Sequence, residues 1–74
     1  MKIIEESKWV ALLRRKEMII EDNGAKYNVV IEDGGDVPWD IVLLERLDGG
    51  ETTEEEFERI QNWLLENEDM WLWR

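Results

Sequence analysis

Hydrophobic positions along the chain follow two rhythms. From Met18 to Ile31 they alternate on either side of Asn23-Gly24. Alternation at period two marks a strand with one buried face. Asn-Gly is the preferred two-residue turn of a tight hairpin, because both of its positions take positive φ. A turn placed there pairs Asp22 with Ala25, Glu21 with Lys26, Ile20 with Tyr27, Ile19 with Asn28 and Met18 with Val29. Met18, Ile20, Tyr27 and Val29 then share one apolar face, and Glu21 and Lys26 form an opposite-charge pair on the other. Further on the rhythm becomes helical: Phe57, Ile60 and Leu64 recur at three and four residues and share a face. Gly49 and Gly50 end whatever precedes this segment. Thr53 stands three residues before Glu56, the capping-box spacing, and Glu54, Glu55 and Glu56 occupy the first turn, where the helix dipole favours negative charge. The pattern predicts an acidic helix over 53–66.

The other stretches admit two descriptions. Residues 5–16 are largely good helix formers, opened by acids and closed by Arg14-Arg15-Lys16, with Trp9, Leu12, Leu13 and Lys16 on a common helical face. Trp9, Ala11 and Leu13 also alternate as a strand would; the helix is the preferred expectation. Met1 to Ile4 is a short apolar-leaning strand or lead-in. Gly34-Gly35-Asp36-Val37-Pro38 is a cluster of chain breakers and predicts a loop. Ile41-Val42-Leu43-Leu44 fits a buried strand, although Pro38 ahead and Asp48-Gly49 behind would also frame a short helix. The adjacent β-branched residues favour a strand over 41–47. After Glu66 come Asn67, Glu68 and Asp69, then Met70-Trp71-Leu72-Trp73. Either the helix continues, or it stops near Asn67 and leaves a terminal strand. The expected architecture is a single α+β domain over 1–74. Hairpin 18–31 and a strand near 41–47 form a small antiparallel sheet, packed against an N-terminal helix (5–16) and the acidic C-terminal helix (53–66).

A chain of 74 residues buries only roughly 60% of its unfolded surface, so the core is small. There is no cysteine and no histidine, which removes thiolate chemistry, the commonest metal ligand and the usual base at neutral pH. No apolar run approaches the ~18 residues of a membrane span, and the N-terminus has no long apolar stretch of the secretory kind. A soluble, cytoplasmic protein is expected. Charge is unevenly placed. Residues 1–31 carry six cations and five carboxylates, a net of +1, while residues 32–74 carry three cations and fourteen carboxylates, a net of -11. Such a field repels nucleic acid and membranes and attracts basic partners.

Catalytic chemistry has little to work with. Ser7 is the only serine and has no histidine to activate it, and Thr52 and Thr53 suit helix capping. A pair of carboxylates working as in a glycosidase would need a cleft that so short a chain rarely forms. Glu32-Asp33-Gly34-Gly35-Asp36 and Asp48-Gly49-Gly50-Glu51 set acids around glycines, but neither has calcium-loop spacing, and turn chemistry accounts for both. Arg14-Arg15-Lys16 suits a solvated helix end better than a nucleic-acid patch in a chain of net charge -10. No catalytic residue, cofactor or metal is expected, and no enzyme.

The acids of the second half remain. A solvated face would explain them, yet their excess passes the magnitude of about 2–8 that suffices for solubility. Carboxylates three and four apart on a helix stand ~5–6 Å from one another, and duplex DNA carries one charge per ~3.4 Å along each strand. Glu51, Glu54, Glu55 and Glu58 along one helix rim, with Asp33, Asp36, Asp40 and Asp48 from the loops, could present a rod of negative charge. Of the five tryptophans, at least two of Trp9, Trp39 and Trp63 are expected to fill the core. Trp71 and Trp73, at a chain end, suit core or dimer burial or a partner hot spot.

Short length, acidity, absence of cysteine and lack of catalytic residues together resemble a class of small inhibitor proteins carried by bacteriophages. Members of that class bind host proteins that handle nucleic acid, among them uracil-DNA glycosylase, restriction enzymes, CRISPR nucleases, RNA polymerase and sliding clamps. They often do so as DNA mimics. The resemblance implies a non-enzymatic inhibitor in the host cytoplasm that occupies the basic channel of a bacterial DNA-binding protein, without contacting nucleic acid or membrane itself. An antitoxin-like or adaptor module, and a structural homodimer with a merely solvating acidic face, are the alternatives. A two-fold dimer is compatible with each.

Overall fold

The computed structural model describes residues 1–10, 14–34, 36 and 38–73. Four strands, β1 (Lys2–Glu6), β2 (Arg15–Asp22), β3 (Ala25–Glu32) and β4 (Asp40–Arg46), precede two helices, α1 (Glu54–Glu66) and α2 (Glu68–Trp71). The strands form one antiparallel sheet in the order β1-β2-β3-β4, so each pairs with its neighbour in sequence.

The central hairpin follows from its turn. Asn23 (φ 51°) and Gly24 (φ 81°) both take the left-handed conformation, and β2 and β3 pair from Asp22↔Ala25 through Arg15↔Glu32. β4 pairs with β3 from Arg46↔Tyr27 to Asp40↔Glu32, and Val42 is the extra residue of a bulge between Ile41 and Leu43. The connection to α1 then folds over the outer edge of β4. The Gly49 amide donates to the Arg46 carbonyl (3.4 Å) and the Thr52 hydroxyl to the Leu44 carbonyl (3.3 Å). That half of the edge is therefore closed to an added strand. Thr53 caps α1 through the full capping box: its hydroxyl accepts from the Glu56 amide, and the Glu56 carboxylate accepts from the Thr53 amide.

The expected N-terminal helix over 5–16 is not there, and the fold is a four-stranded sheet followed by two C-terminal helices. Glu5 and Glu6 belong to β1, opposite Ile19 and Met18. Arg15 and Lys16 belong to β2, opposite Glu32 and Ile31. Ser7 prolongs the β1–β2 pairing by accepting the Glu17 amide on its hydroxyl (2.9 Å), and Val10 bridges to Arg15. Ala11, Leu12 and Leu13 lie outside the described residues, as do Gly35 and Val37 of the β3–β4 loop. Helix propensity is worth at most about 0.7 kcal/mol per ordinary residue, and β1 supplies β2 with a whole ladder of backbone hydrogen bonds. The charges that matched a helix dipole in sequence serve instead as cross-strand pairs: Arg15 with Glu32, and the fully buried Lys16 with Glu6 at 3.0 Å. A terminal strand is absent as well. Asn67 ends α1, and the chain continues as the single-turn α2.

One face of the sheet is apolar, through Met18, Ile20, Tyr27, Val29, Ile31 and Ile41. The helices cover it with Ile60, Leu64, Trp71 and Leu72. Three indoles fasten the C-terminal segment. Trp71 is fully buried, donates its N–H to the Leu64 carbonyl (3.0 Å) and meets Trp39 edge to face at 5.0 Å. Trp39 donates to Glu68 (3.2 Å), and Trp9 donates to the Leu72 carbonyl (2.6 Å). Trp9 and Trp63 are half-buried beside this core rather than inside it.

Trp71→Ala is expected to cost about 3–5 kcal/mol, a large share of the roughly 5–15 kcal/mol that holds a domain folded. Trp73→Ala is expected to change stability by about 0.5 kcal/mol or less. Urea denaturation of both variants checks the contrast.

Candidate functional site

The described cations of the second half, Arg46 and Arg59, are engaged by acids that hold the fold. Arg46, on β4, reaches Asp48 with Nη2 (2.7 Å) and Glu56 with Nη1 (3.0 Å), and stacks over the Tyr27 ring at 5.8 Å. Tyr27 donates its hydroxyl to the same Glu56 carboxylate. Arg59 of α1 holds the buried Asp22 at the hairpin tip, 2.6 Å away. These contacts fix α1 across the sheet, and they shift the titrations. The Tyr27 hydroxyl, with help from the Thr53 amide and the Arg46 guanidinium, lowers the Glu56 carboxyl to about 2. The Arg46 guanidinium lowers Asp48 to about 2. Burial, then the neighbouring Glu56, raises Tyr27 above its ordinary value.

The acids expected to contact a partner fall into two groups. Glu51, Glu54, Glu55 and Glu58 are exposed, on α1 or just before it. Among the described residues no cation lies within ion-pair distance of any of them. Asp48 stands near them, but Arg46 holds it, and it accepts the Gly50 amide (2.8 Å). Asp33 and Asp36 lie before β4 and Asp40 is its first residue, and Asp33 is 3.7 Å from Arg14. The length of β4, seven residues, sets them apart from Asp48, a rise of about 20 Å. The structure therefore forms a compact acidic patch on α1, with the loop acids apart at the other end of β4. Trp71, expected as a partner contact, is sealed in the core. Trp73 is 84% exposed.

The opposite face of the sheet holds acids that the charge count of the first half concealed. Its two central rows run Glu5–Ile19–Asn28–Glu45 and Glu17–Val30–Leu43. Glu5, Glu17 and Glu45 are exposed there, although two of them come from the nearly neutral half of the chain. An open hollow of about 500 Å³ lies between β1 and β2, lined by Glu5, Ser7, Glu17, Ile19 and Asn28. A second, of about 350 Å³, separates β4 from the start of α1, with Val42, Leu43, Thr52 and Phe57 in its wall. The hairpin register in the sequence already turns Glu17, Ile19, Asn28 and Val30 away from the apolar face. Only the pairing of β1 and β4 adds Glu5, Leu43 and Glu45.

No group of three or more metal-ligating side chains occurs among the described residues, and no helix is long and apolar enough to cross a membrane. No protein-family model matches the chain, and comparison with curated proteins and with solved structures finds no match either.

Glu56 predicts a pH dependence. A carboxyl with a folded-state value of about 2 against a usual 4.5 stabilises the fold fully above about 4.5 and loses that contribution as the pH falls towards 2. Glu56→Gln is expected to be less stable than the parent at neutral pH, with the gap closing over that window. Urea midpoints measured down the pH scale check it, and a gap of constant size would reject the role given to Glu56.

Proposed function

We propose that the protein is a non-enzymatic inhibitor whose acidic α1 patch occupies the basic nucleic-acid-binding surface of a bacterial replication, repair or defence protein, as a phage-encoded protein would. One observation carries the reading. Among the described residues no cation is in range of Glu54, Glu55 or Glu58 on α1, while the arginines nearest in sequence, Arg46 and Arg59, are occupied by Glu56, Asp48 and Asp22. The fold neutralises the acids it uses internally and leaves the helix acids for solvent or a partner. Carboxylates at helical spacing offer a cationic groove a line of negative charge comparable to that of a phosphate strand. Trp73, exposed just beyond α2, supplies the kind of aromatic anchor that dominates binding energy at interfaces. The separation of Asp33, Asp36 and Asp40 from α1 restricts the mimicry to a short stretch of one strand.

Charge of this kind acts first on encounter rates and makes binding sensitive to salt. Proteins captured from a bacterial lysate on the immobilised full chain are expected to elute with salt and to be duplex-DNA binders. Each should release labelled duplex as the protein is titrated in. Glu54→Gln/Glu55→Gln/Glu58→Gln is expected to slow association by about tenfold at low salt and to flatten the salt dependence. A captured target that keeps its DNA at saturating protein overturns the proposal.

A further inference from the structure

The face of the sheet turned away from the helices has chemistry of its own. Val30 is only 4% exposed yet stands outside the core cluster, because its side chain lies on this second face. Beside it lie Leu43, directly opposite on β4 and 41% exposed, and Ile19, diagonal to it on β2. The three make an apolar stripe across the central strands. Glu5 and Glu45 end the Ile19 row, and Glu17 ends the Val30 row. The cations of this face lie at its two ends: Lys2 and Lys26 flank Glu21 near the hairpin tip, and Arg15 pairs with Glu32 at the far end. Its centre is therefore apolar and anionic. None of the described helices covers it.

We propose that this face is a docking surface for a cationic amphipathic helix of a partner protein. Ile19 and Leu43, on either side of the buried Val30, would take the apolar stripe of the helix, and Glu5, Glu17 and Glu45 its flanking lysines or arginines. The occupant follows from shape and charge. Four strands spaced ~4.8 Å apart span about 14 Å, which seats one helix ~10 Å wide. A second copy of this chain is disfavoured, because face-to-face stacking would set Glu5, Glu17 and Glu45 against their own equivalents. An added strand is disfavoured at the nearer edge, where Gly49 and Thr52 already hold the Arg46 and Leu44 carbonyls. The surface is on the other side of the sheet from α1, so it stands whether or not α1 acts as a phosphate mimic.

The test uses the ¹⁵N-labelled full chain and three synthetic peptides of about 15 residues: a leucine–lysine helix with one apolar stripe, its glutamate twin, and a scrambled lysine peptide without the stripe. The striped lysine peptide is expected to shift the amides of residues 17–19, 28–30 and 43–45, and the other two to leave them in place. Leu43→Lys/Glu45→Lys is expected to weaken binding by about tenfold or more, and Glu54→Gln/Glu55→Gln/Glu58→Gln to leave it unchanged. Should the first variant not fold, Glu5→Gln/Glu17→Gln gives the same reading through the other acids. Shifts confined to α1, equal binding of the scrambled peptide, or a dimer in sedimentation that buries these amides would each overturn the proposal.

Discussion

A sheet this small is stable only if its one apolar face is covered, and the indole of Trp71 secures the cover. The α1 helix alone offers Ile60 and Leu64 to the sheet. Trp71 adds the largest fully buried side chain of the described core and accommodates its polar atom by donating to the Leu64 carbonyl. That carbonyl lies in the last turn of α1 and also accepts the Asn67 amide at 3.3 Å. One contact thus fills the core and ties α2 to the end of α1. The donations from Trp39 to Glu68 and from Trp9 to Leu72 fasten the same segment to the sheet. An indole suits this task because it combines a large apolar area with a single N–H to place.

Around that core the charges are sorted by use. Acids that hold elements together have cations: Glu6 has Lys16, Asp22 has Arg59, Glu32 has Arg15, and Glu56 has Arg46 together with the Tyr27 hydroxyl. Arg15, Lys16, Tyr27 and Arg46 lie on strands β2, β3 and β4 and Arg59 lies on α1, so these donors are taken up where secondary elements meet. What remains outside is mostly negative, although Lys2, Lys8, Arg14 and Lys26 are exposed as well. The surplus therefore reflects the placement of positive charge as much as the number of acids, and a surface so arranged keeps its potential at any pH where carboxylates are ionised.

Local chemistry was legible where it was self-contained. Asn23-Gly24 fixed a hairpin register because both turn positions need positive φ, and Thr53 with Glu56 fixed the start of α1 because the cap closes within four residues. Residues 5–16 were misread because their helix formers and end charges made a consistent local case. What decided them was remote: Glu6 meets Lys16 and Arg15 meets Glu32 only once the strands are paired. Tryptophan placement was legible only in part for the same reason: Trp39 is in the core as expected, while Trp9 and Trp63 pack beside it. Nothing near Trp71 in sequence marks it for the core, and nothing near Trp73 marks it for solvent; α2 ends at Trp71, and Trp73 lies beyond it. The acidic patch on α1 was visible as helical spacing. Its detachment from Asp33, Asp36 and Asp40 required the length of β4, and the anionic centre of the second sheet face required the order of all four strands.

That second face also shows why so much charge is compatible with one compact chain. Apolar residues on an open sheet invite self-association, and Ile19 and the exposed Leu43 are large enough for it. Glu5, Glu17 and Glu45 stand beside them, and among the described residues no cation lies at the centre of the face. The same carboxylates that would repel a second copy would attract a lysine or arginine, so exclusion of the wrong neighbour and preference for a cationic one are two consequences of one arrangement. Solubility alone would be served by acids placed anywhere on the surface. Acids set beside the apolar residues of an uncovered sheet act selectively, because they decide which surface is able to bury those residues.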